Sequence, residues 1–370
     1  MSEAAEGQTI DAIEALMPPL LTALDVLGEV SRHLHPSLAG QLAEWVAPTV
    51  EPLAAGLRTF DGLELPNALQ PVANQAIGAA RQALVAVTEF GAAAAAGGEP
   101  MALYRAVRKS TLAIEALFPL AQVLVPVSRF FVEAGSRDDA GLLERLHVGA
   151  QRTDDVAVGV LNAGNARDQR GGFSLYVPEY YDADRAWPLI VALHGGSGHG
   201  ADFLWSWVRE ARTRGALVAA VTSRGRTWSI MDENDVDAPN LRSIVQRIGE
   251  QYRLDASKIL LGGMSDGATY ALLGGLTPNM PFTHLAPFSG VLHPLLEMNG
   301  YLANANGRPV YLVHGALDWM FEVERARHSA AMLSAVGALV TYRELADLSH
   351  TYARDENPRV LDWMGIPPPN

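Results

Sequence analysis

The sequence predicts an α/β chain in two parts, a helical bundle followed by a doubly wound, mostly parallel sheet. Apolar residues recur at helical spacing through the first 147 positions, then give way to short apolar runs that alternate with helical segments. Several of the late runs end beside glycines that flank a serine, an aspartate or a histidine. At 370 residues the chain has the length for two cores, and the expected boundary lies between 147 and 148.

In the first part, Ile10, Ile13, Leu16, Leu20, Leu21, Leu24 and Leu27 mark one face of a helix. Further helical runs cover 37–57, 68–90, 101–134 and 142–146. Pro36 after His35, Gly62 with Pro66, and Gly97-Gly98-Glu99-Pro100 punctuate them. Short connections imply antiparallel neighbours. Pro18, Pro19, Pro52, Pro119 and Pro126 fall inside the runs and are expected to kink or restart them, because proline removes a donor and crowds the preceding turn. Packing, oligomerisation as a homodimer, and control of substrate access all remain open as roles for this part.

In the second part, 156–161 and 173–177 read as a leading hairpin joined by a polar, glycine-containing turn. Apolar strands follow at 189–193, 217–221, 259–261, 285–288, 310–313 and 339–342. Helical patterns lie between most of them, at 202–214, 238–252, 268–276 and 323–336, with a last helix near 358–364. Sheets of this kind hold their ligands beyond the carboxyl ends of the strands.

Composition excludes several classes of function. With 49% hydrophobic and 19% charged residues the chain can bury a core. The balance of 28 basic against 41 acidic residues, net charge −13, repels phosphate on average, so no nucleic-acid partner is expected. The absence of cysteine removes disulfides, thiolate metal sites and a thiol nucleophile. The opening Met1-Ser2-Glu3-Ala4-Ala5-Glu6 is acidic where a secretory signal is basic, which points to a cytoplasmic protein. The apolar stretch 116–128 is too short for a bilayer and carries Pro119 and Pro126, so no membrane span is expected.

Four elements carry the chemistry, in this order: His194-Gly195-Gly196-Ser197, Gly263-Met264-Ser265-Asp266-Gly267, His314-Gly315-Ala316-Leu317-Asp318, and His350. Glycine occupies 34 positions, so roughly 0.15 chance matches to G-x-S-x-G are expected in such a chain and the pentapeptide alone proves little. Order and context decide it. Each motif closes or follows an apolar run, and serine, acid and base occur in the chain order of a strand-to-helix nucleophile elbow. A serine hydroxyl needs a base to take its proton during attack. Ser265 is therefore read as nucleophile, His350 as base and Asp318 as the acid that orients the imidazole. Asp347 competes for the last role, and His199 and His293 are rival bases on loops. The backbone N–H groups of Gly196 and Asp266 are expected to hold the oxyanion. A phosphate-loop reading of residues 195–200 fails, since the spaced Lys-Ser/Thr pair is missing.

The stretch Leu175-Tyr176-Val177-Pro178-Glu179-Tyr180-Tyr181, followed by Pro188-Leu189-Ile190-Val191-Ala192-Leu193-His194-Gly195-Gly196, resembles the opening of a group of α/β-hydrolase esterases. The group includes feruloyl esterases, polyhydroxybutyrate-depolymerase-like proteins and the phospholipase/carboxylesterase family. The resemblance covers roughly 156–364, and it does not extend to the first 150 residues. It implies an α/β-hydrolase with Ser265, Asp318 and His350 as its triad, acting on a small-molecule ester and needing no metal or organic cofactor. Thioesters, lysophospholipids and polyester oligomers are open to the same machinery, and a non-catalytic hydrolase-fold scaffold is the alternative of another class. One departure stands out: where the family carries smaller residues and prolines after the acid, this chain has Trp319, Met320 and Phe321. With Trp205, Trp207, Trp228, Met231 and Met264 they suggest an apolar cleft.

Overall fold

In a computed structural model the described residues are 3–152, 155–231 and 234–369. They form two compact units, Met1–Asp138 and Asp139–Asn370.

The first unit is helical: α1 (Glu3–Arg32), α2 (Ala39–Arg58), α3 (Gln70–Ala95), α4 (Pro100–Arg108), α5 (Ser110–Leu117) and α6 (Val125–Phe130). α3 buries an alanine stripe of Ala73, Ala76, Ala79, Ala80, Ala83 and Ala86, and these small side chains let α1, α2 and α5 approach it closely. Leu16 of α1 lies against Gly56 of α2, and His33 near the end of α1 stands edge-on to Trp45 early in α2, as antiparallel neighbours require. Glu99 caps α4 by accepting from the N–H groups of Met101 (3.0 Å) and Ala102 (2.7 Å), with Pro100 at the first position where no donor is needed.

The prolines behave in two ways. Pro119 falls in a 3₁₀ turn, Phe118–Gln122, and Pro126 opens α6, so the expected run over 101–134 breaks into short helices. By contrast α1 continues through Pro18 and Pro19 and α2 through Pro48 and Pro52. There the buried face, Leu16, Met17, Leu20, Ala23, Leu24 and Leu27 in α1, outweighs the lost backbone hydrogen bonds.

The second unit opens with α7 (Ala140–Ala150), capped by Asp139, which accepts from Leu142 N–H at 2.9 Å. α7 thus straddles the boundary expected at 147/148; Gly149 sits so close to the Glu179–Tyr180 peptide that an added Cβ would lie 2.4 Å from the Glu179 carbonyl oxygen. Eight strands follow: β1 (Gly159–Ala163), β2 (Phe173–Val177), β3 (Trp187–Leu193), β4 (Leu217–Val221), β5 (Leu254–Met264), β6 (His284–Phe288), β7 (Pro309–Gly315) and β8 (Leu339–Leu345). They form one sheet in the order β1-β2-β4-β3-β5-β6-β7-β8, in which β2 pairs antiparallel with β1 and β4 and all other pairs are parallel. The intervening helices are α8 (Gly200–Phe203), α9 (Val208–Arg214), α10 (Asp237–Gln251), α11 (Asp266–Gly275), α12 (Leu295–Met298), α13 (Val323–Ala335) and α14 (Asn357–Trp363). The helix expected over 202–214 is split by the turn Leu204–Ser206.

The inner strands are buried on both faces, as near-continuous apolar sequence requires. Their register positions the site. Leu193 pairs with both Val221 and Gly263, and Met264 pairs with Phe288, so the chain leaves β3, β4, β5 and β6 at one level of the sheet. This is an α/β-hydrolase sheet preceded by a helical unit.

Candidate active site

Ser265 stands between the last residue of β5 and the first of α11 with φ 58° and ψ −121°, a left-handed backbone that a serine adopts only under constraint. The constraint is steric and visible. A Cβ on Gly263 would lie 2.6 Å from the Gly267 backbone, and one on Gly267 would lie 2.5 Å from the carbonyl oxygens of Leu193 and His194. Only glycines let strand, turn and helix close this tightly, and the Ser265 N–H is anchored on the Phe288 carbonyl at 2.9 Å.

The turn brings Ser265 Oγ within 2.9 Å of His350 Nε2. His350 lies in the loop after β8, and its Nδ1 is 2.8 and 3.0 Å from the two oxygens of Asp318, in the loop after β7. Nδ1–H donates to the carboxylate, so the Nε2 lone pair faces the serine hydroxyl. Asp318 Oδ1 also accepts from the N–H groups of Met320 (2.9 Å) and Phe321 (2.8 Å). Burial pushes the Asp318 carboxyl up, but the hydrogen bond and charge of His350, with the Phe321 N–H, outweigh it and hold the group below its ordinary value. Asp347, by contrast, is solvent-exposed. His199 caps α8 and bonds the Gln169 carbonyl, while His293 accepts from Leu295 N–H.

Gly195 lies against Met264 and Ser265, and Gly196 lies under the Asp266 carboxylate, 2.7 Å from where its Cβ would be. The two expected oxyanion donors therefore belong to adjoining turns. Asp266 begins α11, whose first N–H groups have no intrahelical acceptor. Its side chain accepts from Thr227 Oγ1 at 2.6 Å.

The residues expected to line a cleft divide. Trp319 and Met320 are exposed beside Asp318 (42% and 48%), and Met264 is half-buried. Trp205 and Trp228 are buried. Trp228 is stacked on Tyr270, lies tilted against His194 and donates to the His194 carbonyl at 2.8 Å, so its ring braces the residue that leads into Gly195 and Gly196.

Two groups had no role in the sequence reading. His314 is fully buried, with Nε2 2.8 Å from the Phe321 carbonyl and 3.4 Å from Asp318 Oδ2; burial lowers its pKa. Its spacing four residues before Asp318 was the available signal. Arg170 bonds the carbonyls of Gly198 (2.7 Å), Ser223 (3.1 Å), Gly225 (3.0 Å) and Arg226 (3.2 Å), tying the loop after β4 to the loop after β3. Nothing local in the sequence marks it.

Fold and topology define the class: the second unit has the α/β-hydrolase fold. Within that class, residues 230–364, less than half of the chain, match the phospholipase/carboxylesterase family model. Similar solved structures include a thermostable esterase (18% identity, TM-score 0.46, 56% of this chain and 62% of that one). A substrate-bound fluorophosphonate-binding serine hydrolase F of Staphylococcus aureus is 15% identical (TM-score 0.46, 56% and 98%). The S-formylglutathione hydrolase of the same organism is 14% identical (TM-score 0.47, 57% and 99%). The chain thus spans under two thirds of the first of these and nearly all of the other two. Among the described residues no cluster of His, Asp or Glu could hold a metal ion, and no helix is long and apolar enough to cross a membrane.

Proposed function

We propose that this protein is a serine carboxylesterase working through an acyl-enzyme. The observation that carries the reading is the unbroken chain from Ser265 Oγ through the His350 imidazole to Asp318, with contacts of 2.9 and 2.8 Å. Ser265 Oγ attacks the ester carbonyl carbon while His350 Nε2 takes the hydroxyl proton. The N–H groups of Gly196 and Asp266 receive the charge on the former carbonyl oxygen, a contribution of about 3 kcal/mol per donor in such sites. Collapse expels the alcohol, which takes the proton from His350. Water then attacks the acyl-enzyme as His350 accepts its proton, the acid leaves, and the proton returns to Ser265. Asp318 holds the imidazole in the tautomer this cycle needs and stabilises the imidazolium. Trp319 and Met320 offer apolar contact to the acyl or alcohol group.

Covalent labelling with a fluorophosphonate, mapped by mass spectrometry, tests the reading. An adduct on Ser265, absent in Ser265→Ala and accompanied by loss of aryl-ester turnover, is the expected result. Turnover by Ser265→Ala above about a hundredth of wild type contradicts the nucleophile, because loss of a triad serine costs orders of magnitude more than that. A chain-length series of aryl esters beside acyl thioesters separates carboxylesterase from thioesterase activity.

A further inference from the structure

The loop after β4 reads Ser223-Arg224-Gly225-Arg226-Thr227 and leaves the sheet beside the oxyanion loop. It is tied to the site at three points. Thr227 donates to the Asp266 carboxylate, Arg226 Nε donates to Ser197 Oγ at 3.0 Å, and Arg170 clamps the carbonyls of Ser223, Gly225 and Arg226 together with that of Gly198. Arg226 is therefore held on the lip of the oxyanion loop, one residue from Gly196.

Its charge meets no carboxylate among the described residues. Arg226 is exposed, its side chain donates through Nε to Ser197 Oγ, and among the described residues no carboxylate lies within ion-pair distance of it. The guanidinium of Arg224, two residues earlier and also exposed, is likewise without a carboxylate among the described residues; its backbone N–H is held by Asp237 at 2.8 Å. Other exposed arginines of this chain of net charge −13 do meet a carboxylate, as Arg167 does on Asp202 and Arg327 on Glu344. Two guanidinium groups that meet no carboxylate among the described residues, on a braced loop beside the scissile position, are suited to a planar anion, which each can meet with two parallel hydrogen bonds. Asp266, the nearest carboxylate of the elbow, is turned to Thr227 and lies over Gly196 rather than pairing with Arg226.

We infer that the substrates are esters carrying a carboxylate, which Arg226, supported by Arg224, binds while Ser265 attacks; this rests on the reading of Ser265 as nucleophile. The anion orients the ester and raises its local concentration in a surface that otherwise repels it.

Two matched sets of substrates test it. On the acyl side, p-nitrophenyl monoesters of adipic and suberic acid are compared with p-nitrophenyl hexanoate and octanoate. On the alcohol side, 4-acetoxybenzoate is compared with 4-acetoxybenzamide. The readout is the ratio of kcat/KM for the charged over the neutral ester. In wild type the ratio is expected to exceed that of Arg226→Ala by about tenfold in one set, the scale of a charge-assisted contact. It should be partly restored in Arg226→Lys, reduced to a lesser degree in Arg224→Ala, and lowered by added salt. The set that responds shows which side of the ester carries the anion. A ratio that is the same in wild type and Arg226→Ala in both sets, with the neutral esters turned over and Ser265 labelled, overturns the inference and leaves the esterase reading standing. No turnover of any ester and no label on Ser265 overturns both.

Discussion

Asp318 and His314 are two buried groups four residues apart whose ionisation is set in opposite senses by what surrounds them. Asp318 is held ionised by His350 and two backbone N–H groups. Asp318→Asn keeps the shape but favours the wrong imidazole tautomer, so kcat on an aryl ester should fall by about 10⁴-fold; steady-state kinetics with an unchanged far-UV spectrum check it, and a drop under tenfold would argue for Asp347 instead. His314 is held neutral, with its pKa lowered by burial. The unfolded chain then takes up a proton below about pH 6.5 that the folded chain refuses, so stability is full above that pH and declines below it. Asp318 works in the same direction at lower pH: its depressed carboxyl contributes stability above the ordinary carboxylate range, which is lost as pH falls through it. Urea midpoints at pH 7.5 and 5.5 should therefore differ in wild type and differ less in His314→Gln. The remaining slope belongs to His199, His284 and His293, all lowered by burial. Equal slopes in wild type and variant would remove His314 from this account.

At the scale of elements, the elbow shows how much was readable from residues alone. The glycines at 263 and 267 announced a crowded turn, and a Cβ at either position would meet backbone at 2.5–2.6 Å. Gly267→Ala is accordingly expected to cost about 3 kcal/mol or more, the upper range for forced overpacking, and to abolish labelling of Ser265. Gly249, inside α10, offers the contrast, since a Cβ there meets Leu254 at an ordinary 3.6 Å. Gly249→Ala should stabilise by about 0.5–1 kcal/mol through the unfolded chain. Urea unfolding of both variants checks the pair, and similar losses in the two would mean that the elbow is not the tight point. Trp228 could not have been placed this way. A tryptophan after a strand reads equally as cleft lining or as packing, and its bond to the His194 carbonyl depends on β3 and β4 lying side by side.

For the whole molecule, the useful boundary is where the compact units divide. A fragment over 139–370 holds the entire sheet, all three proposed catalytic groups and α7 with its cap. One starting at Val148 severs α7 and discards Leu142 and Leu146, both buried. The longer fragment should be labelled on Ser265, and the shorter, which loses most of α7 with its Asp139 cap, should melt several degrees lower; differential scanning fluorimetry compares them. Equal melting temperatures would show that α7 adds nothing to the sheet unit. Light scattering of the full chain beside the longer fragment tests whether helices α1 to α6 carry a dimer, and an unchanged subunit number would end that idea.

Periodicity, punctuation and motif order were enough to determine a helical part before a mostly parallel sheet, and to single out Ser265, Asp318 and His350, which the fold brings together after β5, β7 and β8. These are local properties: the spacing of apolar side chains and the backbone freedom of glycine act within a few residues. Tertiary structure alone decided what brings Arg170 to four carbonyls and sets Arg226 beside Ser197. Each of those contacts joins loops from different strands, and no local pattern encodes a distance that exists only once the register of the sheet is set.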